Sequence, residues 1–287
     1  MERMMTGTIN RKEFLKLGGI MMGGLFIPPW KQLLYLEDFP DAKRLGRIAE
    51  PAVEVRAQPS IDAASVGKLY EDAVVVCQRE VIGSNPYRIN QRWTETPQGY
   101  IWSPLIQPVK NEPNPVLTTI PSNNGETGMW VEVTVPYVDV VLHNDSPYAP
   151  SVKYAVENSD PLRMRYSQIL WVNEIMEDDA GQVWYRISEP YGSYGDEFWG
   201  PAEAFRCIPP EEVAPISPEV ENKRIDVNVA KQTISCYEDE REVFFAKMSS
   251  GKIGESETPL GEWYRVWRKM ISVHMSGGTT GGGYDLA

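Results

Sequence analysis

Between residues 49 and 109 the chain alternates in short bursts. Val53 and Val55 fall on one side of an extended segment while Glu54 and Arg56 fall on the other, the period-two pattern of a half-buried strand. A charged turn at Glu71-Asp72 precedes the β-branched run of Val74, Val75 and Val76. Residues 92–106 then give two aromatic segments, with Trp93 and with Tyr100 to Trp102, broken by Pro97 and Gly99. About five short strands in roughly sixty residues predict a small β-barrel over 46–110.

The same kind of pattern returns after residues 111–128, a Pro-, Asn- and Gly-rich stretch that reads as a linker. Residues 130–135 alternate well, and two apolar runs flank the turn Glu-Asp-Asp-Ala-Gly-Gln at 177–182, which is a hairpin signal. A second β module is therefore expected over 129–209. The two modules carry a faint internal repeat. Trp93 is followed by Pro97, Gly99 and Trp102-Ser103-Pro104, and Trp184 is followed by Pro190, Gly192 and Trp199-Gly200-Pro201.

A Pro-rich acidic connector, 210–222, leads into a third unit at 223–287. Ile225, Val227 and Val229 alternate with Asp226 and Asn228. Further strands are expected at 233–237, 243–247 and 263–269, with an acidic turn at 238–240 and a Gly/Ser/Pro loop from Ser249 to Gly261. This is an antiparallel meander with one wet face. The whole chain thus reads as mostly β.

The N-terminus, 1–30, has a different character. Arg11, Lys12 and Lys16 precede an apolar run at 17–27 that is too short to span a bilayer. A charged region before a short apolar one is an export pattern. The order Arg-Lys-x-Phe-Leu-Lys is similar to a twin-arginine signal, with Lys12 in place of the second arginine. Pro28-Pro29-Trp30 stands where a small-residue cleavage site would be, so an uncleaved membrane tether is the alternative to removal. An ordinary amphipathic N-terminal helix competes with both. An exported protein of the cell envelope is expected.

Composition narrows the function. The 287 residues carry 40 acidic and 28 basic side chains, a formal net charge of −12, with no Arg/Lys stripe to attract nucleic acid. Cys77, Cys207 and Cys236 show no metal-ligand spacing, and His143 and His274 lie far apart, so neither a metal nor a cofactor is expected. The paired carboxylates Asp178 and Asp179 sit in a hairpin turn and read as solvated. The glycine loop at 277–283 lacks the Gly-Lys-Ser/Thr ending of a phosphate loop.

Two resemblances add to this. Val-x-Val-Arg-x-x-Pro at 53–59, a tryptophan strand and Gly99-Tyr100-Ile101-Trp102 resemble a bacterial SH3-like domain over 48–109. The order Ile-x-Val-x-x-x-x-Gln-Thr-Ile-x-Cys-Tyr from Ile225 to Tyr237, then Ser249-Ser250-Gly251, then Thr258-Pro259 with Gly261, resembles the start of an L,D-transpeptidase catalytic domain. That resemblance implies an enzyme that attacks a peptidoglycan stem peptide with a cysteine thiolate and passes the acyl group to an amine. With the SH3-like resemblance and the internal repeat it gives an expected architecture of two SH3-like barrels followed by an incomplete β-sandwich-like catalytic domain, with stem peptides as partners of a monomeric protein. The family's nucleophile lies on a Ser-His-Gly-Cys-x-Arg motif, and no His-Gly-Cys occurs in this sequence. The expectation is a chain that stops in the substrate-side loop and is inactive in acyl transfer. No residue here is assigned as catalytic.

Cys236 is expected to be structural, since Glu238, Asp239 and Glu240 disfavour a thiolate beside it. His274, Ser276 and Thr279 would border the substrate groove, although a lone strand histidine is more often structural. With only part of a sheet present, residues 224–287 are expected to be poorly ordered or aggregation-prone. The alternative function is a noncatalytic wall-binding protein whose β modules hold peptidoglycan on aromatic surfaces, with Trp102 and Trp199 either in those surfaces or in the core. A surface scaffold without glycan affinity is the third option.

Overall fold

A computed structural model describes residues 37–123, 126–188, 194–212, 214–251, 254, 257–261, 275–276 and 285–286. The chain falls into two compact units. One holds the described residues up to Cys207 with 275–276 and 285–286, and the other holds those from Ile208 to Gly261. Both are built almost wholly of antiparallel β structure, with a single short α-helix among the described residues.

The first unit begins with β1 (Leu45–Ile48), β2 (Ala52–Arg56), β3 (Ser65–Tyr70), β4 (Val74–Val76), β5 (Arg79–Ile82), β6 (Arg92–Thr96), β7 (Gly99–Trp102) and β8 (Ile106–Val109). They form a three-stranded sheet, β4-β1-β8, and a five-stranded sheet, β3-β2-β7-β6-β5. The alternation in β2 does what it predicts. Val53 and Val55 are buried with Ile48, Ile101 and Ile106 in one core cluster, and Glu54 is exposed. Gly99 opens the β6–β7 hairpin with φ +141°, where a Cβ would stand 2.6 Å from the Arg56 carbonyl oxygen.

A short ribbon, β9 (Ser122–Asn123) with β10 (Glu126–Thr127), precedes the second set of strands. These are β11 (Met129–Val133), β12 (Tyr137–Leu142), β13 (Leu162–Arg165), β14 (Ile169–Glu177), β15 (Val183–Ser188), β16 (Glu197–Pro201) and β17 (Phe205–Cys207). They make one curled sheet in the order β13-β12-β16-β15-β14-β11-β17. The hairpin read from the sequence is the β14–β15 pair. Asp178 shapes its turn, accepting from the Ala180 and Gln182 amides and from Trp184 Nε1–H. Helix α1 (Pro150–Asn158), which the sequence reading does not contain, starts on a proline. It is preceded by the Tyr148 and Ala149 amides, both donated to the buried carboxylate of Asp196 at 2.8 and 2.9 Å.

The two strand sets share one pairing order. The last strand returns to the first (β8 to β1, β17 to β11), and the second pairs with the third and the penultimate (β2 with β3 and β7, β12 with β13 and β16). The long strand β14, with its register shift between Val172 and Glu174, does alone what β4 and β5 do separately. The likeness reaches single hydrogen bonds. Asp72 N–H donates to Ile48 O, and Ile48 N–H to Ala73 O; likewise Ser167 N–H donates to Val133 O, and Val133 N–H to Gln168 O. Asp72 and Ser167 both adopt the left-handed conformation, with φ of +65° and +69°. The faint tryptophan repeat in the sequence is thus matched by a repeated topology.

Residues 111–121 lie along the second strand set. Glu112 N–H and Thr134 Oγ1 exchange bonds with each other's neighbourhood, through Thr134 O at 3.0 Å and Glu112 O at 2.7 Å. Asn114 Nδ2 donates to Thr134 Oγ1, the Leu117 amide donates to the Tyr185 hydroxyl, and Ile120 packs against the core. Phe39 joins the same core edge-on to Tyr137, whose hydroxyl bonds Glu37.

One ionic cluster ties the two strand sets together. Asp72, 5% exposed in the turn after β3, takes Arg47 Nη1 from β1 at 2.6 Å. It also takes Arg163 Nη1 at 3.1 Å and Arg165 Nε at 3.1 Å, both from β13. Arg163 is shared with Asp139 and lies 4.1 Å over the Tyr137 ring, and Arg165 reaches Glu71. Arg47 is itself 2% exposed and donates through Nε and Nη2 to Gln107. Burial pushes the Asp72 carboxyl upward, but the hydrogen bond and charge of Arg165, with Arg47 and Arg163 behind it, bring it net below its ordinary value.

A carboxyl held below its unfolded value of about 3.9 adds stability that is complete above that pH and is lost as pH falls through the folded value. Asp72→Asn leaves three guanidinium groups without their shared counter-charge. It is expected to lower the unfolding free energy at pH 7 by about 3–5 kcal/mol, followed by urea denaturation with tryptophan fluorescence. The gap between variant and parent stays constant from pH 8 to 5 and closes only below about pH 4. A loss under about 1 kcal/mol, or a gap that closes near pH 6, contradicts the assignment.

Candidate functional site

The second unit holds β18 (Lys223–Asn228), β19 (Thr233–Glu238) and β20 (Arg241–Lys247), a meander in that order. Directly paired residues share a face, so the register sorts the side chains. Ile225, Cys236 and Phe244 form one row, and Val227, Ile234 and Ala246 the next. Arg224, Tyr237 and Glu242 form a row on the opposite face, where the Arg224 guanidinium stacks 4.2 Å from the Tyr237 ring centre. A register shift between Cys236 and Tyr237 inserts Val243 beside Phe244.

The apolar face is open. Ile225, Val227, Val243 and Phe244 are each about half exposed (47–54%). The expectation of a single wet face therefore describes only the Arg224–Tyr237 side. Ile225, Val227, Ile234 and Cys236 of these rows floor a depression of about 1000 Å³, with Thr258, Pro259, Leu260 and Gly261 along one side and Lys223 and Glu238 supplying charge.

The loop after β20 is held by specific polar bonds. Gln232, in the β18–β19 turn, accepts the Met248 amide on its carbonyl and the Ser250 amide on Oε1, both at 2.9 Å. Its Nε2 donates to Ser250 Oγ at 2.7 Å and to the Val229 carbonyl. One residue further, the Gly251 amide donates to Thr258 Oγ1 at 2.9 Å. The glutamine of Gln-Thr-Ile, the Ser-Ser-Gly triplet and the Thr-Pro pair, separate in sequence, are thus in hydrogen-bond contact at the edge of the depression. Spacing alone did not give these partners, although all three pieces stood out in the chain.

The three cysteines take different places. Cys236 lies in the apolar floor between Ile225 and Phe244. Cys207 is on β17, half-buried against the core of the second strand set. Burial, with the Glu80 charge added, pushes the Cys77 thiol up to about 11, away from thiolate chemistry. All three are free thiols. His274 and Thr279 lie outside the described residues, as does the strand expected at 263–269. Ser276 is on β21 (Met275–Ser276), paired with Asp285 of β22 (Asp285–Leu286).

The two tryptophans weighed as wall-binding residues are core. Trp102 is 7% exposed and donates Nε1–H to Asn90 O at 2.9 Å. Trp199 is 4% exposed and donates Nε1–H to His143 Nδ1 at 3.0 Å, which fixes His143 as an acceptor there. Among the described residues no group of three or more His, Cys, Asp or Glu is placed to hold a metal ion, and no helix is long and apolar enough to cross a membrane. Comparison with models of known protein families and with curated proteins gave no match to this chain.

An open apolar floor binds amphiphilic dyes. The native chain at pH 7 is expected to enhance the fluorescence of anilinonaphthalene sulfonate, and Val227→Asp or Ile234→Asp to remove most of that signal without changing the tryptophan spectrum. A native chain that leaves the dye dark would mean that the depression is covered.

Proposed function

We propose that this chain is an exported cell-wall protein of the L,D-transpeptidase kind, whose second unit forms the opening part of the catalytic domain and receives a peptidoglycan stem peptide along the apolar depression. The observation that carries the reading is the bonded set Gln232, Ser250, Gly251 and Thr258. These are among the residues on which the sequence resemblance rests, and they meet beside the apolar depression of their unit, which Thr258 lines. The shared pairing order of the two preceding strand sets supports their reading as two SH3-like barrels. Export rests on the pattern at 1–30 and the stem-peptide partner on the resemblance.

In acyl transfer of this type a thiolate attacks a stem-peptide carbonyl, the C–N bond there breaks and its amine leaves protonated, and an acceptor amine then displaces the thiolate from the thioester. None of the three cysteines is assigned that role: Cys77 is held protonated, and Cys236 and Cys207 sit among apolar side chains. What this part of the fold offers is peptide binding. A noncatalytic wall binder working through Trp102 and Trp199 is disfavoured because both indoles are buried and hydrogen-bonded.

Titration of a soluble stem tetrapeptide into the full chain tests the proposal. Amide resonances of Gln232, Ser250, Gly251 and Thr258, with those of Ile225 and Ile234, are expected to shift together. Cys236→Ala is expected to leave the affinity within about twofold, as loss of one sulfhydryl from the floor alone would. No shifts at millimolar peptide, or shifts confined to 45–207, would overturn the reading. A tenfold loss in Cys236→Ala would instead give that thiol a direct part in binding.

A further inference from the structure

We infer that Gln232 is the positioning residue of the segment that leaves β20, 248–251, and through Gly251 of Thr258, and that its side-chain amide thereby sets the wall of the peptide site. The inference rests on the reading of the depression as a stem-peptide groove. Three features of the geometry carry it.

First, Gln232 uses its backbone carbonyl and both ends of its side-chain amide. The backbone oxygen takes Met248 N–H, Oε1 takes Ser250 N–H, and Nε2 reaches both Ser250 Oγ and Val229 O. Second, it does so from the left-handed conformation, φ +53°, which a non-glycine residue holds only when its surroundings over-determine it. Third, the loop it grips is rich in Gly and Ser, so its backbone has much conformational freedom to lose unless polar bonds hold it. The Gly251–Thr258 bond passes the restraint on to the residues that line the depression. A loop fixed before the ligand arrives spares the cost of ordering it at binding.

The side-chain type follows from the bonding. A terminal amide offers an acceptor to one amide and donors to a hydroxyl and a carbonyl from the same head group. Glutamate keeps the acceptor and loses both donors. Asparagine has the right head on a stem one methylene too short.

The experiment uses the full chain with Gln232→Ala, Gln232→Glu and Thr258→Ala, read by amide hydrogen exchange and by stem-tetrapeptide affinity. Gln232→Ala is expected to speed exchange at Ser250 and Gly251 at least tenfold, with the amides of Cys236 and Phe245 unchanged, and to weaken the peptide about tenfold. Gln232→Glu keeps Ser250 protected and falls between the two in affinity. Thr258→Ala loosens Gly251 and not Ser250. Unchanged exchange at Ser250 in Gln232→Ala, or a rise spread evenly over 233–247, overturns the inference. If the parent chain binds no stem peptide while Ser250 exchange still responds, the functional proposal falls and the clamp stands.

Discussion

The first unit depends on a carboxylate that would be costly to bury alone. Asp72 is nearly inaccessible, and an isolated charge in such a place is expelled or neutralised. Here three arginines from two strands converge on its two oxygens, so desolvation is outweighed and the group remains ionised. The arginines are in turn distributed among Asp139, Glu71 and Gln107. Because Arg47 comes from the first strand set and Arg163 and Arg165 from the second, neither set can move away without leaving a buried charge unpaired. This is a stronger constraint on geometry than on net stability, since an apolar contact of the same size would hold the sets together but would not fix their register.

The repeated topology shows how such a lock can arise from a single position. Asp72 and Ser167 occupy equivalent left-handed turns with the same backbone bonds. The aspartate side chain, in addition, organises an interface between the two strand sets. The strand that precedes each equivalent turn differs as well: β13 carries Arg163 and Arg165 where β3 carries Lys68 and Tyr70. The repeated topology thus supplies two copies of a buried polar turn, and side-chain chemistry at one copy makes it a joint.

Much of this fold was legible in the sequence, for a local reason. Val53 and Val55, Ile225 and Val227, and the turn at 177–182 declare their strands because side-chain alternation is imposed by the residue's own backbone. The Trp93 and Trp184 repeat pointed to two related modules for the same reason. What was not legible depends on residues far away in the chain. Glu71-Asp72 reads as a charged turn, and it is one, but its burial is decided by arginines some ninety positions later. Residues 111–121 read as a linker because Pro and Asn signal irregular backbone, yet Asn114 and Leu117 are bonded to the second module. Helix α1 carries no buried residue and only a weak apolar stripe, so periodicity had little to report. At the candidate site the motif residues were visible, while their mutual bonding was not.

The meander raises a different physical problem. Three strands with both faces partly open lie near the lower limit for independent stability, because little apolar area leaves water on folding. The chain compensates with directional bonds. Gln232 ties the β18–β19 turn to the end of β20, and the Arg224–Tyr237 stack and the Lys223–Glu238 pair brace the opposite face and the far end. Such bonds specify a shape without a dry core, and they leave the hydrophobic gain of Ile225, Val227 and Phe244 unrealised until something covers them. A surface in that state is suited to a ligand with apolar side chains: the polar frame has already met the ordering cost, and the remaining free energy is released only on contact.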